Sequence, residues 1–169
     1  MLHRIPNTLT PDLLYILSKM GHGDELVIAD ANFPAASTSA FCKIKDPVYI
    51  PSVNAPKLIS DICKLLPIDQ FGDYGAARME IDGMPNEEGD VHIAVRKVLE
   101  KVMINKKVKF DIISIERQKF YSHAKNSFAV VSTGESRAFG CFILRKGVVF
   151  LKLDLGSLYL HWDKSFLVL

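Results

Sequence analysis

A chain of 169 residues is long enough to bury one substantial core, and its 49% hydrophobic and 24% charged content is that of an ordinary globular domain rather than a disordered segment. The net charge of +2, from 21 basic and 19 acidic side chains, is too small to imply a nucleic-acid or membrane-surface partner. Three scattered cysteines, Cys42, Cys63 and Cys141, form no CxxC pair and predict neither a disulfide frame nor a zinc site, which favours a reducing compartment.

The first residues, Met1-Leu2-His3-Arg4-Ile5-Pro6, lack the apolar stretch of a secretory signal, and no apolar run approaches the roughly 18–20 residues that cross a bilayer. A cytoplasmic chain is expected. Thr10-Pro11 starts a helix, with a hydroxyl N-cap and proline in the first turn. Leu13, Leu14, Leu17 and Met20 give it one apolar face, and Gly21 ends it as a C′ glycine. Leu26 to Ala29 is a charge-free strand, expected to be buried on both faces. The small residues from Phe33 to Ser39 read as a loop, and Pro47 and Pro51 keep the next segment non-helical.

Pro56 opens a second helix with Leu58, Ile59, Ile62, Cys63 and Leu66 inward, and Pro67 closes it. Arg78 to Ile81 is read as a strand, Gly83 to Asn86 as a turn, and Glu87 to Met103 as a third helix carrying a Val91, Val95, Val98 and Val102 stripe. Phe110 to Ile115 is a strand, and Gln118 to Ser127 a helix with Phe120, Tyr121 and Ala124 on one side. Two more strands, Phe128 to Ser132 and Cys141 to Leu144, follow, with Thr133-Gly134-Glu135-Ser136 between them. Alternating helices and strands predict an α/β fold, a single-domain layered sheet with flanking helices, over residues 1–150. Residues 151–169 differ in texture: Leu151 to Leu155 alternates with period two, and Gly156-Ser157 is a candidate turn into a return strand carrying Leu158, Leu160 and Trp162.

The stretch from Met20 to Ala35 carries the densest chemistry. His22 stands between two glycines before the apolar strand, where an imidazole can exchange protons near neutrality. The alternative is a surface histidine favoured by the helix C-terminus. Asp30 ends the strand, where a carboxylate is placed to accept from a sugar hydroxyl or to close an Asx-turn. Asp24 and Glu25 are either solvated turn residues or partners that orient His22. Gly21-His22-Gly23 is not a dinucleotide loop, because the order is helix, loop, strand and no third glycine follows. Arg117 and Tyr121, one helical turn apart, can set a guanidinium and a phenol on one side of a pocket; Arg117 can equally pair with Glu116 or lie on the helix surface. The basic run at Lys101, Lys106, Lys107 and Lys109 lacks the interleaved aromatics of a nucleic-acid surface, and His3, His92, His123 and His161 lack metal-ligand spacing.

Several blocks together resemble the fucose mutarotase and ribose pyranase family: Leu9 to Leu14, Met20 to Glu25, Asp30 to Ala35, Ile115-Glu116-Arg117, Phe120-Tyr121, Ala124, Phe128 to Glu135 and Leu144 to Val148. They keep one order across residues 1–149, and the Phe-Tyr and Thr-Gly-Glu segments lie nearer the fucose branch. The resemblance implies an enzyme without cofactor or metal that interconverts the anomers of a monosaccharide, L-fucose first among them, and that works as a homo-oligomer with pockets near subunit contacts. It implies that His22 is the proton donor and that Asp30 and Arg117 bind sugar. Tyr121 is a further candidate for the pocket wall. The family's Tyr-Gly-Asn sugar-binding triplet falls at Phe139, Gly140 and Cys141, so a phenol and an amide are replaced by a bare ring and a weakly bonding thiol. Altered sugar selectivity is the expected consequence. A non-catalytic monosaccharide-binding protein, or an oligomer subunit with a vestigial site, is the alternative.

Overall fold

The computed structural model describes residues 2–149; the reading of a hairpin after Phe150 lies outside the described residues. The elements run α1 (Pro11–Lys19), β1 (Glu25–Ala29), α2 (Ala35–Ser39), β2 (Val48–Ile50), α3 (Ala55–Leu65), β3 (Ala76–Met79), α4 (Asp90–Lys106), β4 (Ile112–Ile115), α5 (Arg117–Ala124), β5 (Ala129–Thr133) and β6 (Phe142–Arg145). The strands form one sheet in the order β2-β5-β1-β6-β3-β4. β1 pairs parallel with β5 (Val27 opposite Val130) and antiparallel with β6 (Val27 opposite Ile143). Since β6 is also antiparallel to β3, and β4 parallels β3, every strand except β6 points the same way.

The pleat sends alternate residues to opposite faces. Leu26 and Ile28 enter a core with Leu13 and Leu17 of α1, Leu58 and Ile62 of α3 and Val95 and Leu99 of α4. Val27 and Ala29 enter a second core with Phe33, Ala35 of α2 and Phe120 and Ala124 of α5. Helices on both faces explain the unbroken apolar run of β1, whose residues Leu26 to Ala29 are fully buried as the sequence implied. The α/β layered fold is therefore the observed one.

The helix ends follow local chemistry. Thr10 caps α1, its hydroxyl accepting from the Leu13 amide at 3.3 Å, and Asn54 caps α3 by accepting from the Lys57 amide at 3.0 Å. Several boundaries differ from the sequence expectation. The small-residue stretch after Phe33 contains helix α2, and the segment between Pro47 and Pro51 is an edge strand. α4 starts three residues later than read, with Gly89 as its N-cap, and α5 stops at Ala124. β3 lies two residues earlier, because Ile81 leaves the sheet to bridge Met84.

Asp61 ties the N-terminal segment to α3. It is buried, and its carboxylate accepts from the Thr8 hydroxyl at 2.6 Å, from Lys64 at 2.7 Å and from Lys57. Burial alone would raise its pKa, but the two ammonium groups and the hydroxyl outweigh it and hold the carboxyl below the ordinary range. As pH falls below about 4, the unfolded chain therefore takes up the proton before the folded one does. Asp61→Asn is expected to cost about 1–2 kcal/mol at pH 7, discounted for the exposed lysine heads, with the difference from the parent chain shrinking as pH falls through that range. Urea unfolding at pH 7 and pH 3.5 measures both.

Candidate active site

The site residues separate to the two ends of β1. At its N-terminal end, the Met20 C-cap closes α1 in an extended conformation and the chain turns through Gly21-His22-Gly23. The left-handed residue is Gly23, at φ +83°, and not Gly21. Lys146, just past β6, straps this turn: its carbonyl accepts from the Gly23 amide at 2.8 Å and its amide donates to the Asp24 carbonyl at 2.8 Å. Asp24 closes the turn on itself by accepting from the Gly21 amide at 2.7 Å.

The His22 ring is 51% exposed, and its Nε2 lies 3.1 Å from Oδ1 of Asp69, which is 1% exposed. Asp69 also accepts from the amides of Phe71 at 3.1 Å and Gly72 at 3.3 Å, and its Oδ2 faces Arg145 Nε at 3.4 Å. Burial would raise the Asp69 carboxyl, but the Phe71 amide, His22 and Arg145 together lower it, so it is ionised and can only accept. The hydrogen between the two groups therefore sits on His22 Nε2, which leaves Nδ1 as the nitrogen free to exchange a proton. The Phe71 ring stands edge-on to the imidazole at 6.4 Å.

Neither Asp24 nor Glu25 orients His22. Glu25 instead accepts from the Tyr74 hydroxyl at 2.5 Å and pairs with His123 Nε2 at 2.6 Å. Burial acts upward on the Glu25 carboxyl, but His123 and Tyr74 bring it down, while Glu25 in turn raises the His123 imidazole. Arg145 covers the Tyr74 ring at 5.6 Å and so connects this cluster to Asp69. His123 thus belongs to the Glu25 cluster at the N-terminal end of the strand.

Asp30 lies at the other end. Its Oδ1 accepts from the Asn32 amide at 2.9 Å, so the Asx-turn is present. Cys141, just before β6, donates its thiol to Oδ2 at 3.3 Å and accepts from the Asp30 amide at 3.4 Å. Burial and the adjacent carboxylate push the thiol well above its ordinary value, so it stays a donor. The Thr133-Gly134-Glu135 segment braces the same strand exit: the Thr133 hydroxyl donates to the Ala29 carbonyl at 2.8 Å and the Glu135 carbonyl accepts from the Ala31 amide at 2.9 Å. Gly134 has no room for a side chain, since a Cβ would stand 2.0 Å from the Pro51 carbonyl oxygen.

β4 runs parallel to β1, so Arg117, which follows it, emerges at this same end. Its Nε donates to Asp82 at 2.8 Å, and it shares a hydrogen bond with Tyr121. Its ion pair is therefore with Asp82 and not with Glu116, whose carboxylate caps α5 by accepting from the Gln118 and Lys119 amides. Tyr121 packs on Phe33 with ring centroids 5.4 Å apart. Phe139 is in the left-handed region at φ +59°, and a Cβ on Gly140 would stand 2.7 Å from Glu135 Cγ and 3.5 Å from Asp30 Cβ. Six of the seven expected site residues, Asp30, Arg117, Tyr121, Phe139, Gly140 and Cys141, thus lie at the C-terminal end of the parallel strands, and His22 lies at the opposite end. Asp69 is the residue that the sequence did not disclose: it is 47 positions from His22, and its only local signal is an Asx-type turn into Gly72.

The model of the RbsD / FucU transport protein family matches residues 3–149. The chain belongs to that family. It is 40% identical to the fucose mutarotase of Mus musculus over 154 residues, covering 90% of this chain and 95% of the mouse protein. It is 42% identical to that of Danio rerio, over 88% of this chain and 95% of the fish protein. The crystal structure of the Streptococcus pneumoniae fucose mutarotase in complex with L-fucose superposes with a TM-score of 0.76 at 34% identity, covering 88% of this chain and all of the bacterial one. The family model and the solved relative thus agree on the family and the fold.

The two glycines that flank His22 in this family member do different work. Gly23→Ala is expected to cost about 1–2 kcal/mol, because an L side chain resists the left-handed turn. Gly21→Ala is expected to be near neutral, since its Cβ would meet nothing closer than Asp24 Oδ2 at 3.6 Å. Urea midpoints of the two variants, compared with the parent, give the answer.

Proposed function

We propose that this chain is a fucose mutarotase, an isomerase that interconverts the α and β anomers of L-fucose by general acid–base ring opening and closure. The observation that carries the reading is the His22–Asp69 pair: a buried ionised carboxylate fixes one nitrogen of a half-exposed imidazole and leaves the other free for proton exchange. The similarity to curated fucose mutarotases over most of both chains supplies the substrate.

The chemistry asks for two protons and no electrons. The ring oxygen gains a proton while the anomeric hydroxyl loses one, the C1–O5 bond breaks, and the sugar becomes an open aldehyde. Rotation about C1–C2 presents the other carbonyl face, and the reverse transfers close the ring as the other anomer. His22 is the acid–base group, acting through Nδ1. Asp30 accepts from a sugar hydroxyl, Arg117 donates to sugar oxygens, Tyr121 shapes the wall, and the Phe139 ring stacks on the apolar face of the sugar beside Gly140 and Cys141. A cytoplasmic setting suits three buried free thiols, and no helix of the described residues is long and apolar enough to cross a membrane.

L-fucose anomer exchange followed by saturation-transfer NMR tests the assignment. His22→Ala is expected to lower the exchange rate by about 10²-fold or more. Exchange at the parent rate would remove His22 from the mechanism, and L-fucose binding without exchange in the parent chain would favour a binding protein.

The position of His22 bears on assembly. At about 3.3 Å per residue, β1 puts roughly 15 Å of strand between His22 and Asp30, more than one hexose ring spans. One sugar touching both therefore needs two copies of the chain, the His22 end of one facing the Asp30 end of its neighbour, in a homo-oligomer. Chains carrying His22→Ala and Asp30→Asn, each inactive alone, are expected to recover roughly a quarter of the parent exchange rate when mixed and reassembled, because one site in four draws both intact residues. No recovery would mean that each site is built from a single chain.

A further inference from the structure

His92 is a buried histidine that the mechanism does not use. It lies in the first turn of α4 with 1% of its surface exposed. Its Nδ1 accepts from the amide of Gly89, the N-cap of the same helix, at 3.1 Å. Its Nε2 lies 2.9 Å from the carbonyl oxygen of Phe139, 47 residues away. A nitrogen that accepts from an amide carries no hydrogen, so the hydrogen sits on Nε2 and is donated to Phe139. One neutral tautomer satisfies both neighbours, and burial keeps it neutral by lowering the imidazole pKa. The ring is held edge-on against Phe142 of β6 at 5.9 Å.

What His92 holds is an unfavourable piece of backbone. Phe139 is in the left-handed region, which an L residue resists because its Cβ crowds the following carbonyl oxygen. The next residue, Gly140, is pressed so closely on Glu135 and on the Arg137 carbonyl that no side chain fits. The one after, Cys141, exchanges hydrogen bonds with Asp30. Glu135 thus bounds this loop on one side, and His92 secures the carbonyl of its strained residue.

We propose that His92 is a positioning residue, which pins Phe139 in its left-handed conformation and so sets where the Phe139–Cys141 wall stands relative to Asp30. The proposal rests on the reading of that loop as the sugar-binding wall. It assigns α4, a helix with no residue among the expected sugar contacts, the task of fixing the geometry of substrate binding.

Two isosteres separate the two hydrogen bonds. In His92→Asn the side-chain oxygen replaces Nδ1 and keeps the Gly89 bond alone; in His92→Gln the side-chain amide replaces Nε2 and keeps the Phe139 bond alone. Two readouts apply. The first is alkylation of Cys141 by iodoacetamide, with Cys63, buried in α3 in the opposite core, as the internal standard for general loosening. The second is the KM and limiting rate of L-fucose exchange.

His92→Asn is expected to accelerate Cys141 labelling but not Cys63 labelling, and to raise KM about three- to tenfold, the weight of one lost hydrogen bond, with the limiting rate within about twofold of the parent. His92→Gln is expected to restore both. Parent-like Cys141 labelling and KM in His92→Asn would overturn the proposal, as would Cys141 and Cys63 becoming reactive together, which is the sign of a merely structural histidine. If His92→Asn does not fold, His92→Gln carries the test, and selective Cys141 labelling despite the retained donor would overturn it. The thiol readout needs no sugar: selective Cys141 labelling in His92→Asn, when the parent chain itself exchanges no L-fucose, would uphold the pinned loop and remove the fucose reading.

Discussion

β1 cannot carry chemistry along its length. Leu26, Val27, Ile28 and Ala29 are buried on both faces, with β5 and β6 on either side and helices above and below. A polar atom placed there would lose its hydration without a partner, at a cost of several kcal/mol. Groups that must reach water or a ligand are therefore displaced beyond its two ends, where the backbone leaves the sheet. Asp30 is the first residue past the C-terminal end, and His22 stands three residues before the N-terminal end, in the turn that leads into β1.

Both are held by the same device, a partner pinned by residues distant in sequence. His22 is fixed by Asp69, and Asp69 is ionised because the Phe71 amide, the His22 N–H and the Arg145 guanidinium outweigh its burial. Asp30 is fixed by the Asn32 amide on one oxygen and the Cys141 thiol on the other. Glu135 receives a two-pronged ion pair from Arg137 while its backbone ties down Ala31. The partners of Asp61, Asp69 and Glu135 hold all three carboxyls below the ordinary range, so these three stay ionised near neutrality. That rigidity suits a reaction whose barrier falls chiefly by orienting one sugar against one acid–base group.

The sequence discloses what depends on neighbours along the chain. Thr10 caps its helix as its hydroxyl predicts, and the charge-free run of β1 reads directly as a strand covered on both faces. β2 was illegible because it is three residues long and its middle residue, Tyr49, is exposed. α2 was illegible because Ala35 to Ser39 are small and show no apolar period. The start of α4 was misplaced because Glu87 and Glu88 look like an acidic first turn, whereas Gly89 is the cap and Glu88 serves Arg96 instead. Within the site, His22, Asp30 and Arg117 could be named, but Asp69 and His92 act through hydrogen bonds spanning 47 residues each, which no local pattern records.

The replacements at Phe139 and Cys141 gain meaning from this geometry. The Cys141 thiol is buried and turned toward Asp30, so its first effect on a ligand passes through that carboxylate and not through direct contact. The Asn32 amide takes one lone pair of Oδ1 and the thiol one of Oδ2, which leaves further acceptor capacity on the carboxyl. A thiol is a weaker hydrogen-bond donor than an amide, so its hold on Oδ2 is loose. Both positions lie at the Asp30 end of β1, away from the His22–Asp69 pair at the other end.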